Sequence, residues 1–308
     1  MLANFFGKSN PANFIIIFLL FLGTYFAAFF TSFSIESLNA SVLFYHFSIL
    51  GLFLLMFFLF NFILSKNKLT LYNSYGFLLF VLLFAFFPNT MFDREQVILN
   101  LVLLIFLRRI YSLNSEKIVY KKIVDCGFWL GILFLLEPTS AVFGILIFIS
   151  IALFQKLNAR TFLITLVGFL IPVFCYFTYC FWIDKTEDFT QLFLWYSSYD
   201  FQIYLTKPIV FSLVFLGIFA IISILFKTPK VFLISGSYRK YWILIIFNFL
   251  IAISVIVIQK THESDELLLL FFPTAIIMTN WLEGIKKPLF KNIFIVLFFL
   301  LPIIFFII

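Results

Sequence analysis

The residues of this sequence with the means to do chemistry are few and ionisable: Glu36, Asp93, Arg94, Glu95, Glu137, Asp200 and His262. A carboxylate is a suitable general base for a hydroxyl, so Glu36, Asp93 and Glu95 are the catalytic candidates. The planar guanidinium of arginine matches phosphate or carboxylate oxygens in a fork. Arg94 is therefore the candidate for holding an anionic group, with Glu137, Asp200 and His262 as further substrate-binding candidates. His262 stands among Lys260, Glu263, Asp265 and Glu266. One histidine with acids at adjacent positions lacks the spacing of a metal ligand set, so a solvated loop is the simpler reading and no metal is assigned. His46, alone on an apolar run, reads as a packing residue. Cys126, Cys175 and Cys180 fit neither a zinc site nor a disulfide framework. No P-loop, dinucleotide glycine motif or nucleophile elbow is present, and no cofactor is expected.

The elements that must position these residues are apolar. The chain of 308 residues is 64% hydrophobic and 11% charged, with a mean hydropathy of +1.15. Soluble domains are about half apolar and about a quarter charged, and a soluble globule of this size could not hide the excess. The expected fold is all-α, a polytopic transmembrane helix bundle forming a single integral membrane domain over residues 1–308. Eleven apolar segments can be marked, at 14–33, 42–64, 74–92, 95–107, 123–136, 139–154, 161–183, 209–226, 242–259, 266–282 and 292–308. None alternates in polarity as a barrel strand would. The first is longer than a signal-peptide core and reads as an uncleaved span. The 51 Phe residues read as compositional, since phenylalanine suits hydrocarbon.

Charge orients the bundle. With the N-terminus in the cytoplasm, every lysine and arginine except Arg94, Lys185, Lys207 and Lys260 falls on the cytoplasmic side, as the positive-inside rule requires. Eleven spans with the N-terminus inside and the C-terminus outside are therefore expected, in a bacterial inner membrane. The net charge of +7 orients helices, and nucleic acid is not an expected partner. All acids except Glu116, Asp125 and Glu283 fall outside, a bias that the rule does not demand. Gly127 and Gly131 form a small-xxx-small pair that lets their helix pack closely on a neighbour. In the loop 184–208, Phe189, Leu192, Phe193 and Tyr196 fall on one helical stripe, as in an interfacial helix of the outer leaflet near 187–197.

Length singles out one region. Crossing the hydrocarbon takes about 20 helical residues, whereas segments 95–107, 123–136 and 139–154 hold about 13, 14 and 16. If their cytoplasmic ends lie at the surface, Asp93, Arg94, Glu95 and Glu137 lie in a recess open to the outside. Such a cluster is either a structural ion pair or a functional site.

The stretch Gly127-Phe-Trp-Leu-Gly131-Ile-Leu-Phe-Leu-Leu-Glu137-Pro138-Thr139 resembles a segment of the GT-C superfamily of multispan membrane glycosyltransferases, in which a short glycine-spaced helix turns through Pro-Thr into the next. The run Asp93 to Arg109 and the charged loop 260–266 leading to Pro273 resemble neighbouring parts of that pattern. It departs from the pattern in having Glu137 where a basic residue is usual, and in a first outer loop of only about eight residues with Glu36 its sole acid. The resemblance implies a polyprenyl-phosphate-linked sugar as donor, a carboxylate base and Arg94 on the donor phosphate, with membrane lipid as the partner. Two other readings stand beside it: a transporter or lipid flippase, and a non-catalytic membrane subunit of an envelope assembly.

Overall fold

The computed structural model describes residues 2–32, 39–194, 200–234, 236–260 and 262–307, with no strand among them. Among the described residues thirteen α-helices follow in chain order: α1 (Leu2–Phe6), α2 (Pro11–Ser32), α3 (Ala40–Asn67), α4 (Tyr75–Phe86), α5 (Arg94–Ser112), α6 (Val119–Leu136), α7 (Gly144–Leu153), α8 (Ala159–Trp182), α9 (Thr186–Gln191), α10 (Lys207–Phe232), α11 (Ser237–Ile258), α12 (Phe271–Gly284) and α13 (Pro288–Ile307). Each of the eleven apolar segments falls, among the described residues, on one of these helices or on a helix with its flanking 3-10 turn, and four 3-10 turns join or extend the helices. Seven helical stretches among the described residues are long and apolar enough to cross a membrane: α2, α3, α8, α10, α11, α13 and the continuous run Asp265–Gly284. The chain is an all-helical membrane protein.

α4 forms the centre. All of its 12 residues except Ala85 are buried, as expected of a helix that is apolar all round. At about 18 Å it is too short to cross the hydrocarbon alone. Its end continues through Phe87 into the 3-10 turn Pro88–Met91, where the Thr90 hydroxyl donates to the Phe87 carbonyl at 2.7 Å. Irregular backbone at depth is tolerated where protein surrounds it, and Thr90 and Met91 are fully buried. The phenylalanines pack this core in specific geometries. Phe60 stacks on Phe80 at 4.0 Å and 10°, and Phe84 meets Phe271 edge-on at 4.8 Å.

Two of the segments expected to be short are not. α5 runs for 19 residues and α6 for 18, near the length of a full crossing. The helices continue through charges that end the apolar runs. Arg108 lies over the Phe62 ring at 4.8 Å, and Arg109 pairs with Asp125 of α6 at 3.2 Å, so both cations are accommodated without ending the helix. Only the third stretch, the 3-10 turn Pro138–Phe143 plus the 10-residue α7, remains short.

The glycine pair does what its spacing implies. A Cβ on Gly127 would lie 2.3 Å from the Thr165 carbonyl oxygen, and one on Gly168 would lie 2.4 Å from that of Val124. α6 and α8 thus touch backbone to backbone. His46 is buried and meets the Tyr25 hydroxyl through Nδ1 at 2.8 Å, a satisfied packing histidine. In the loop 184–208 the helix α9 is brief. Phe189 packs on Phe177 at 5.0 Å and Phe193 on Phe134 at 5.5 Å, while residues 195–199 lie outside the described residues.

Loops rich in lysine and arginine meet at one end of the bundle, where Lys156 Nζ donates to the Ser115 carbonyl at 3.1 Å and Leu71 N to Glu283 at 2.9 Å. Acidic loops meet at the other, where the Tyr45 hydroxyl donates to the Phe92 carbonyl at 3.0 Å.

Candidate functional site

The acidic end gathers its polar groups around one carboxylate. Ahead of α12, Ser264 takes a left-handed backbone (φ 71°) and the chain enters the 3-10 turn Asp265–Leu270. That turn directs Glu266 inward, where its side chain is only 2% exposed and that of His262 only 1%. From another part of the sequence, the 3-10 turn Gln202–Leu205 delivers Tyr204. Asp200 organises this second turn, since its carboxylate accepts from the Gln202 N–H at 3.1 Å.

The Tyr204 hydroxyl donates to Glu266 Oε1. His262 Nδ1 lies 3.4 Å from both the Tyr204 oxygen and Glu266 Oε1, and donates to the carboxylate when Nδ1 carries the proton. Glu263 N–H donates to Glu266 Oε2 at 3.3 Å. Phe201 covers the imidazole with ring centroids 4.8 Å apart. Burial, then the hydrogen bond to Glu266, then the charges of Glu266 and Asp265 raise the Tyr204 phenol above its ordinary range, so it remains a proton donor.

Asp265 stands beside this centre, within electrostatic reach of Asp93, Glu266 and Glu263. Among the described residues its buried Oδ1 has no hydrogen-bond partner, nor do three further buried oxygens nearby in the chain or on α5: Ser264 Oγ, Gln96 Oε1 and Asn100 Oδ1. Asn100 Nδ2 ties α5 to the turn by donating to the Leu268 carbonyl at 2.8 Å. Unpaired buried acceptors are costly, and their concentration here marks a region ready to take donors.

Below the polar centre lies an apolar cavity of about 370 Å³ between α4, α10, α11 and α12. Leu83, Leu216, Gly217, Phe249 and Phe271 line it, and Phe201 and Tyr204 belong to its wall as well as to the polar centre. Ile253 and Val257, also on its wall, are 38% and 42% exposed on the outer surface of the bundle. An apolar pocket with a few convergent polar groups is the usual form of a small-molecule site.

The sequence candidates divide accordingly. His262 enters the polar centre, Asp200 supports the turn that delivers Tyr204, and Asp93 comes within electrostatic reach of Asp265 while capping α5 through the Glu95 N–H at 2.8 Å. Arg94 and Glu95 sit exposed on the first turn of α5. Glu137 turns to its own chain, accepting from the Thr139 hydroxyl at 2.9 Å. Among the described residues no ion pair joins Arg94 to Asp93 or Glu137. Glu36 lies outside the described residues.

Sequence reasoning passed over Tyr204, Asp265 and Glu266 as site residues. The i, i+4 spacing of His262 and Glu266 was the available signal. Nothing local pairs Tyr204 with a residue 62 positions away. Among the described residues no group of three or more His, Cys, Asp or Glu side chains is arranged to hold a metal ion.

Comparison with the curated proteins and with the solved structures returned no match to either. Residues 7–308 match the family of unknown function DUF6427, and with nearly its whole length so covered the chain belongs to that family.

Proposed function

We propose that the chain is an eleven-span protein of the bacterial inner membrane, N-terminus inside and C-terminus outside, that takes up a lipid-linked substrate at its outer, acidic end. The observation that carries this reading is the sharing of Tyr204 between a buried carboxylate–imidazole centre and an apolar cavity of about 370 Å³. The cavity suits a lipid chain, and the exposed positions of Ile253 and Val257 supply a lateral way in. The headgroup then meets Tyr204 and Asp265.

The reaction that the GT-C resemblance implies is transfer of a sugar from polyprenyl phosphate to a hydroxyl. In this scheme Asp265, whose Oδ1 has no partner among the described residues, takes the proton of the acceptor hydroxyl. That oxygen forms a bond to the anomeric carbon, the bond from that carbon to the phosphate oxygen breaks, and polyprenyl phosphate leaves with the electron pair. Four carboxylates near the centre repel a phosphate, so the leaving group belongs on the Arg94 side. Lipid translocation is the second reading, favoured by the lateral opening of the cavity.

Gly217 provides the test. A Cβ there meets nothing within 4 Å, so Gly217→Trp fills the cavity without a backbone clash. The lipids that co-purify with the parent and with Gly217→Trp are compared by mass spectrometry, and membranes containing parent, Gly217→Trp or Asp265→Asn are incubated with polyprenyl phosphate carrying a labelled sugar. A lipid lost on filling the cavity supports the substrate class. Label transfer lost in both variants supports the chemistry. Identical lipid profiles for parent and Gly217→Trp refute the reading.

A further inference from the structure

The basic end holds a second built cavity, of about 940 Å³, walled by residues 3–13, the α3–α4 loop and the stretch from the end of α12 to the start of α13. These three segments are tied together. Ala3 N–H donates to Asn292 Oδ1 at 2.8 Å, Ser74 N–H to the Phe6 carbonyl at 3.0 Å, and the Ser74 hydroxyl to the Lys8 carbonyl at 3.1 Å. Asn13 Nδ2 donates to the carbonyls of Phe5 and Lys8 at 2.9 and 2.7 Å. The hook is close-packed at Gly7, where a Cβ would lie 2.8 Å from the Ala3 carbonyl oxygen and 3.1 Å from the Tyr75 hydroxyl. On the far wall Glu283 accepts from Leu71 N–H at 2.9 Å and Asn73 Nδ2 at 2.7 Å.

The charge of the cavity is positive. Lys8, Lys286 and Lys291 line it against the single carboxylate of Glu283, which already has two donors. Around it lie exposed apolar side chains: Leu71 at 67%, Leu289 at 72% and Phe290 at 57%. Cations at a polar cavity with apolar neighbours form the pattern of a membrane interface, where the stems and rings enter the acyl boundary and the ammonium groups stay with the headgroups. A soluble anion would have no use for the apolar surround.

We infer that this cavity binds the phosphate headgroup of an anionic phospholipid. The inference is independent of the reading of the acidic end. Protein purified in a neutral detergent is titrated with dioleoylphosphatidylglycerol or dioleoylphosphatidylcholine, and retained lipid is counted by native mass spectrometry. Phosphatidylglycerol should be retained in preference to phosphatidylcholine. Lys286→Gln, an exposed substitution that leaves the fold alone, should weaken retention about fivefold, and the triple variant Lys8→Gln/Lys286→Gln/Lys291→Gln about a hundredfold, from the contribution of each lysine near an anionic surface. The triple variant Lys66→Gln/Lys117→Gln/Lys230→Gln, at the same end but outside the cavity, should bind like the parent. Equal retention of the two lipids, an equal loss in the outside triple, no effect of Lys286→Gln, or displacement of phosphatidylglycerol by excess inorganic phosphate would each overturn the inference.

Discussion

Truncating Glu266 to alanine tests whether the acidic-end centre is one network. The carboxylate is 2% exposed and accepts from the Tyr204 hydroxyl and the Glu263 N–H, with the almost fully buried His262 ring beside it. Glu266→Ala leaves the Tyr204 hydroxyl and the His262 Nδ1 without their shared partner. The two groups keep each other within 3.4 Å, so the loss is set by one stranded buried polar group, about 1–3 kcal/mol. Tyr204→Phe removes one donor to a charged acceptor and should cost about 1.5–3 kcal/mol. Glu266→Gln keeps the shape and one acceptor oxygen, but its amide cannot accept from Glu263 N–H, so a loss of about 1–2 kcal/mol is expected. If the groups act together, the Tyr204→Phe/Glu266→Ala double variant loses less than the sum, with a coupling of about 0.5–3 kcal/mol. Thermal unfolding in detergent, followed by tryptophan fluorescence, ranks the four variants against the parent. An unfolding midpoint for Glu266→Ala equal to that of the parent would refute the reasoning, as would strict additivity in the double variant.

Gly127→Leu should destabilise by at least about 1–3 kcal/mol through overpacking, because even a Cβ there reaches 2.3 Å from a carbonyl oxygen of α8; unchanged unfolding in detergent would contradict backbone contact between α6 and α8. The proposed topology predicts that a membrane-impermeant thiol reagent applied to intact cells labels Asp200→Cys and not Ile118→Cys, and labelling of position 118 would reverse the orientation. Alkaline stability should depend on Tyr204. Its folded-state pKa is raised while an unfolded tyrosine ionises near about 10, so above that pH the folded state holds more protons and stability falls as pH rises. Tyr204→Phe should lose less stability between neutral pH and the range above about 10 than the parent does, and equal losses would show that Tyr204 titrates normally.

The helical elements were legible because lipid-facing and core-facing helices share one requirement, an apolar surface, and among the described residues all eleven apolar segments fall on helices or their flanking 3-10 turns. Their lengths were legible only where the apolar run and the helix coincide. At α5 and α6 they part: Arg108 and Arg109 are held by Phe62 and Asp125, and the helix continues past residues that end an apolar run. The grouping of the site shows the same limit. Glu137 looks like a partner for Arg94 when both are placed at the ends of short helices, yet its nearest donor is the hydroxyl two residues on, and a local cap needs no folding of distant segments. His262 carried the opposite ambiguity. It reads as a solvated loop residue from its neighbours and acquires its role only when the turns Gln202–Leu205 and Asp265–Leu270 come together over the cavity, whereas Asp200, like Glu137, caps its own chain two residues on. The acidic bias of one set of loops was the one global signal, since orientation requires basic residues on one side and makes no demand for acids on the other. Asp93, more than 170 positions earlier in the sequence, comes with Glu263 and Glu266 within electrostatic reach of Asp265. Like charges drawn together at partly buried positions oppose folding, so a fold that gathers them here, above an apolar cavity of about 370 Å³, concentrates its unfavourable electrostatics where a ligand can relieve them.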